Sequence, residues 1–123
     1  LQLVACAQSD MDFSGELPRI KPLDPDQALR SFEVADGFDI SLVASEPLTE
    51  SPVAIAWDES GAMYVCEMRG YSERQDEGLS RIRRLTDRDS DGIYDSATDF
   101  VVGLAWPTGL FPYEGGLFVA DAP

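Results

Sequence analysis

The sequence predicts an all-β fold of short antiparallel strands, and three observations carry that reading. Apolar and β-branched residues come in short runs separated by turn residues, with strand-like rather than helical periodicity over most of the chain. Two such runs flank Glu59-Ser60-Gly61, a tight turn of the kind that closes a hairpin. The stretch "PVAIAWDESGAMYVCE" also returns as "PTGLFPYEGG-LFVAD" with one gap, its opening prolines Pro52 and Pro107 lying 55 positions apart.

A repeat of that length holding four short strands has the arithmetic of a β-propeller blade. The expected strands are "FDISLVA" (38–44), "VAIAWD" (53–58), "AMYVCEM" (62–68), "SRIRRLT" (80–86) and "TDFVVGL" (98–104), followed by "PTGLFPY" and "GLFVADA". Residues 53–104 then form the first blade, and the last two strands begin a second. "VAIAW" is apolar on both faces, as suits an inner strand sandwiched between blades. "FDISLVA" precedes the first blade and is expected to be the outer strand of the last one, closing the ring. The chain is accordingly read as an N-terminal fragment of such a domain.

One short helix interrupts the pattern. In "LDPDQALRSF", Asp24 stands at the N-cap and Pro25 at the first helical position, while Gln27 can reach back to complete a capping box. Asp36-Gly37 stops it. Residues 7–23 show no periodicity and carry Gly15, Pro18 and Pro22, which reads as a linker. Ahead of it, "LVAC" at Leu3–Cys6 resembles the lipobox of bacterial lipoproteins, so residues 1–6 are expected to be a signal remnant ending in Cys6 as the lipidated residue. The domain proper is expected over 24–123.

Composition narrows the partners. A net charge of −14 makes nucleic acid and anionic membrane surfaces poor ligands, leaving cations and neutral molecules. The chain has no histidine, which excludes a histidine metal site, a Ser-His-Asp triad and a haem-attaching CxxCH within it. Cys6 and Cys66 are too few for a disulfide framework, and Cys66 lies in an apolar strand as a core residue. No apolar run approaches the length of a membrane-spanning helix.

The acidic charge concentrates in "DRDSDGIYDSATD", which places five aspartates in thirteen positions. Asp87, Asp89, Asp91, Gly92 and Asp95 form D-x-D-x-D-G-x-x-D, the front of an EF-hand type calcium loop. Alternate carboxylates can surround a hard cation, Gly92 permits the sharp turn, and the carbonyl of Ile93 can supply a backbone ligand. Asp95 would act directly or through water. Thr98 occupies the twelfth position in place of the bidentate glutamate, with Asp99 beside it, so modest affinity is expected. Because the loop joins the third and fourth strands, its calcium is expected to be structural.

Four segments together resemble the PVC-type membrane-bound dehydrogenase domain, a relative of the six-bladed glucose/sorbosone dehydrogenase propellers. They are "LDPDQALRSFEVADGFDISLVASEPL", "SPVAIAWDESGAMYVCEMRGY", "SRIRRLTDRDSDGIYD" and "FVVGLAWPTGLFPYEGGLFVADAP". The resemblance implies a six-bladed propeller, exported to the cell envelope and lipid-anchored on its periplasmic or outer surface. It implies oxidation of a sugar or related alcohol with PQQ or another quinone. Electrons would pass to a cytochrome acceptor, any haem c lying in a further C-terminal domain.

Ligand sites in propellers usually open on the end away from such a calcium loop. There the loops "SEPLTESP", "MRGYSERQDEGL" and "GLAWPTG" bring Arg69, Tyr71, Trp106 and Thr108 forward as ligand-binding candidates. A guanidinium suits a carboxylate, a quinone oxygen or a sugar hydroxyl, and "CEMRG" resembles the E-R-x-G stretch of glucose/sorbosone dehydrogenases. The competing expectation for Arg69 is a salt bridge to Glu67 or Glu73, and for Trp106 packing between blades. No catalytic base is identifiable within the chain. A propeller that binds glycan or protein without catalysis is the alternative function.

Overall fold

A computed structural model of the protein describes residues 15–16 and 20–122. Cys6 and the lipobox lie outside the described residues. The chain divides into two units, Leu1–Phe32 and Glu33–Pro123.

The first unit contains α1 (Pro25–Arg30), and its caps account for it. The Asp24 carboxylate accepts the Gln27 N–H at 2.8 Å, and the Gln27 side-chain oxygen accepts the Asp24 N–H at 3.4 Å. Ser31 closes the other end by donating its hydroxyl to the Ala28 carbonyl at 2.7 Å. None of its residues is buried, so local capping rather than packing defines this helix.

The second unit holds the strands. Strands β1 (Pro52–Trp57), β2 (Met63–Glu67), β3 (Ser80–Thr86) and β4 (Ser96–Leu104) form one antiparallel sheet in sequence order. Strands β5 (Trp106–Tyr113) and β6 (Gly116–Ala122) form a second, two-stranded antiparallel sheet. A 3-10 turn at Gln75–Glu77 lies in the β2–β3 loop. All-β is therefore correct as a class.

Strand period 2 sorts the side chains of β2 and β3 to two faces, and both faces of β2 are covered. On one, Met63, Val65 and Leu85 pack with Ala44, Leu48, Tyr94 and Ala97. On the other, Tyr64, Cys66 and Ile82 pack with Ala54, Val101 and Leu104, and with Leu110, Leu117 and Val119 from the second sheet. This second cluster joins the two sheets, and the Cys66 thiol adds a contact by donating to the Pro107 carbonyl at 3.1 Å. Burial is the largest cause pushing that thiol up to about 11, with Asp121 and Glu67 adding to it.

The β1–β2 turn is held by one side chain. Asp58 accepts from the Ser60 hydroxyl at 2.6 Å, the Ser60 N–H at 2.9 Å and the Ala62 N–H at 3.0 Å. Those bonds, the hydroxyl first, hold its carboxyl below the usual range.

One expectation needs correction. Residues 38–44 are not a strand. Among the bonds described, their link to the sheet is the Tyr94 N–H donating to the Val43 carbonyl at 2.8 Å, and a ladder needs a partner strand alongside. "VAIAW" is apolar on both faces as read; β1 is an edge strand of its sheet, with its alanine face partly covered and the other face open. Val53, Ile55 and Trp57 are each about half exposed.

Ile82, fully buried where the sheets meet, gives the core a direct test. Ile82→Ala should destabilise the protein by about 2–5 kcal/mol, measured by urea unfolding with the slope unchanged.

Candidate functional site

The aspartate loop leaves β3 at Thr86 and re-enters the sheet at Ser96, which pairs with Thr86. Asp87 organises it: its two carboxylate oxygens accept the Ser90 N–H at 2.7 Å and the Gly92 N–H at 2.9 Å. Asp91 in turn accepts the Ile93 N–H at 2.8 Å. Gly92 has a φ of +89°, which an L side chain rarely adopts, and this explains the glycine at the sixth position. The result brings oxygens of Asp87, Asp89 and Asp91 within 4.8 Å of one another. Ligands around one calcium at about 2.3–2.6 Å from the ion lie at such separations.

The rest of the predicted set stands differently. Asp95 is engaged by the Arg88 guanidinium at 3.1 Å, and is not grouped with the three aspartates. Thr98 lies two ladder positions inside β4, opposite Arg84, with its hydroxyl 3.5 Å from the Arg84 carbonyl. Ile93 follows the turn, half exposed.

Tyr94, which the sequence did not single out, ties the loop to the sheet. Its N–H bonds Val43, its hydroxyl accepts from Trp57 Nε1 at 2.8 Å, and the same hydroxyl donates to the Gly61 carbonyl at 3.1 Å. The aspartate loop and the β1–β2 turn therefore share one end of the sheet.

The other end carries Arg69, Tyr71 and Trp106. Arg69 pairs through Nε with Glu50 at 3.2 Å, rather than with Glu67 or Glu73, and both partners are more than one-third exposed. The Tyr71 and Trp106 rings meet edge to face with centroids 5.5 Å apart. The Trp106 indole N–H is enclosed without a hydrogen-bond partner. Thr108 stands apart within β5, with its hydroxyl 3.5 Å from the Ala120 carbonyl. The Ser80 hydroxyl binds the backbone of Arg69 and of Ala105, so it joins the two loops that carry the arginine and the tryptophan.

Beneath these loops lies a charge chain that sequence reading missed. Glu67 is completely buried, accepts the Glu50 N–H at 2.9 Å and meets Arg81 Nε at 2.6 Å. Arg81 also reaches Asp99 at 3.2 Å, which Arg83 meets at 3.3 Å. Arg83 donates to the Pro47 carbonyl at 3.0 Å, closing back onto the 45–51 loop. Burial works against the charge on Arg81, but Glu67, Asp99 and Glu50 outweigh it and raise its pKa. The available signal was pairing: a glutamate in an apolar strand, with "RIRR" on the next strand in antiparallel register.

Residues 24–123 match a family described as a domain of unknown function, DUF7133. No curated protein and no solved structure matches the chain.

The Asp87 bonds have a consequence in pH. The Gly92 N–H above all, with those of Ser90 and Asp91 and a bond from Asp89, holds the Asp87 carboxyl below the usual range. The order these bonds give the loop is complete above the ordinary carboxylate pKa of about 4, and is lost as pH falls through the lowered value. The Ser90 and Gly92 amide resonances should titrate together with a midpoint below that of an unperturbed aspartate. A midpoint at or above the ordinary value would contradict the assignment.

Proposed function

The chain belongs to the DUF7133 family, and from the geometry above, together with the resemblance its segments bear to the glucose/sorbosone dehydrogenase propellers, we propose that it is part of a six-bladed β-propeller, stapled by calcium at one end and binding its ligand at the other. One observation carries the propeller reading. The second sheet packs Leu110, Leu117 and Val119 onto the first, while its outer face leaves Phe111 and Phe118 more than half exposed. In a propeller that face would receive the next blade. The in-order four-stranded meander and the repeat of "PVAIAWD" as "PTGLFPY" support the same reading.

Calcium is proposed at Asp87, Asp89 and Asp91 with the Ile93 carbonyl. With Asp95 engaged by Arg88 and Thr98 in the ladder, affinity falls toward the weak end of such loops, on the order of 10⁻⁴–10⁻³ M. Calcium at about ten times its dissociation constant should add roughly 1.4 kcal/mol of stability. The melting temperature should therefore rise with calcium, and Asp89→Ala with Asp91→Ala should abolish the rise. An unchanged melting curve at about 10 mM calcium would overturn the site.

At the opposite end, Arg69, Tyr71 and Trp106 are proposed as the chain's share of a site for a sugar or related alcohol. In the whole protein we propose oxidation of that ligand with PQQ or another quinone and transfer of electrons to a cytochrome. Lipidation at Cys6 would hold the protein in the cell envelope. The guanidinium supplies directed hydrogen bonds and the aromatic pair an apolar platform. A second reading, a propeller that binds glycan or protein without catalysis, is favoured by the groups gathered there. They bind rather than move protons, since Glu50 is ion-paired and the chain has no histidine.

Arg69→Ala separates the readings. Loss of a charged contact to a transition state costs about 2–4 kcal/mol, so kcat/KM with an artificial electron acceptor should fall roughly thirty- to a thousand-fold. Stability should barely change, because an exposed pair such as Arg69–Glu50 contributes about 0–1 kcal/mol. If the wild-type protein reduces no acceptor with any sugar or polyol, even with PQQ and calcium, the binding reading replaces the enzymatic one.

A further inference from the structure

The two hairpins that open the sheets carry one device twice. In the first, Pro52 pairs with Glu67, the register slips at Val53, and Ala54 pairs with Cys66. In the second, Pro107 pairs with Asp121, the register slips at Thr108, and Gly109 pairs with Ala120. The carboxylate opposite each proline then does the same thing. Glu67 accepts the N–H of Glu50, two residues before Pro52, at 2.9 Å. Asp121 accepts the N–H of Ala105, two residues before Pro107, at 3.2 Å.

A proline has no N–H to give to a ladder, so the strand start is short of a donor at that point. The facing carboxylate reaches past the proline to the N–H two residues earlier and fixes how the chain turns into the strand. The bulge that follows belongs to the same geometry, because it re-aims the strand immediately after the latched segment.

We infer that Glu67 and Asp121 are equivalent positioning residues, each latching the segment that leads into its hairpin and so placing one group at the Arg69 end. Glu67 places Glu50, the partner of Arg69. Asp121 places Trp106, which follows the latched Ala105 and packs against Tyr71. That these groups face a ligand rests on the proposed function; the latch itself does not. The two latches differ in setting, since Glu67 is buried and tied to Arg81 whereas Asp121 is exposed.

Asp121 is therefore the cleaner place for a test, made in the intact protein and without ligand. Asp121→Asn keeps a side-chain oxygen that can accept the Ala105 N–H, and Asp121→Ala removes it. Hydrogen exchange at the Ala105 amide should quicken about tenfold or more in the alanine variant and stay within about threefold of wild type in the asparagine variant. The Trp106 indole N–H resonance should move in the alanine variant only, while β1–β4 amides keep their protection. Equal behaviour of Asp121→Asn and Asp121→Ala, an unchanged Ala105 amide, or exchange quickened across the whole β5–β6 ladder would each overturn the latch. None of these outcomes depends on whether a sugar is bound or oxidised.

Discussion

Glu67 is the residue on which the rest of this β unit depends. A carboxylate with no exposed surface is tolerable only when its charge is matched and its oxygens are bonded. Here Arg81, one strand over, matches the charge, and the Glu50 N–H uses the other oxygen. That pairing fixes the β2–β3 register, since slipping by one residue would move every side chain to the opposite face and strand the carboxylate among apolar neighbours. It also recruits Asp99 and Arg83, so β4 and the 45–51 loop are bound into the same electrostatic unit. Removing Arg81 would leave the Glu67 carboxylate buried without its counter-charge, a larger loss than the pair itself contributes.

The two ends of the sheet are built on contrasting principles. At the aspartate loop, like charges are drawn together by backbone N–H groups and one glycine turn, an arrangement that a cation would complete. At the other end, opposite charges and aromatic rings are held by a serine hydroxyl and two carboxylates acting on the backbone. The sheet between them is fully packed along β2, which separates the two ends and lets each be specialised.

Much of this was legible in the sequence because it is local. Strand period, the hairpin turn at Glu59-Ser60-Gly61, the capping box of α1 and the glycine of the aspartate loop each depend on residues close together in the chain. Where the reading failed, the deciding partner was distant. Residues 38–44 have a strand's pattern but lack a strand to pair with. Arg69 had acidic neighbours in sequence, yet its partner Glu50 arrives from a loop nineteen positions earlier, delivered there by Glu67. Tyr94 looked like part of an acidic loop, and only the folded chain reveals that it grips the next turn. The propeller arithmetic depends on the repeat alone, and the finding that both hairpins share a proline, a bulge and a carboxylate gives that repeat a physical content that residue identities did not.

The placement of Cys66 has a chemical consequence. Thiolates, not thiols, are oxidised and alkylated, and a pKa of about 11 leaves roughly one molecule in ten thousand ionised near neutrality. With no exposed surface, the sulfur is also beyond the reach of any oxidant or reagent. The folded protein therefore keeps Cys66 as an unreacted thiol. Because that sulfur bonds Pro107 across the junction of the two sheets, it reacts only when they part. The rate at which a thiol reagent modifies Cys66 is thus a clock for the separation of the sheets, supplied by the protein itself.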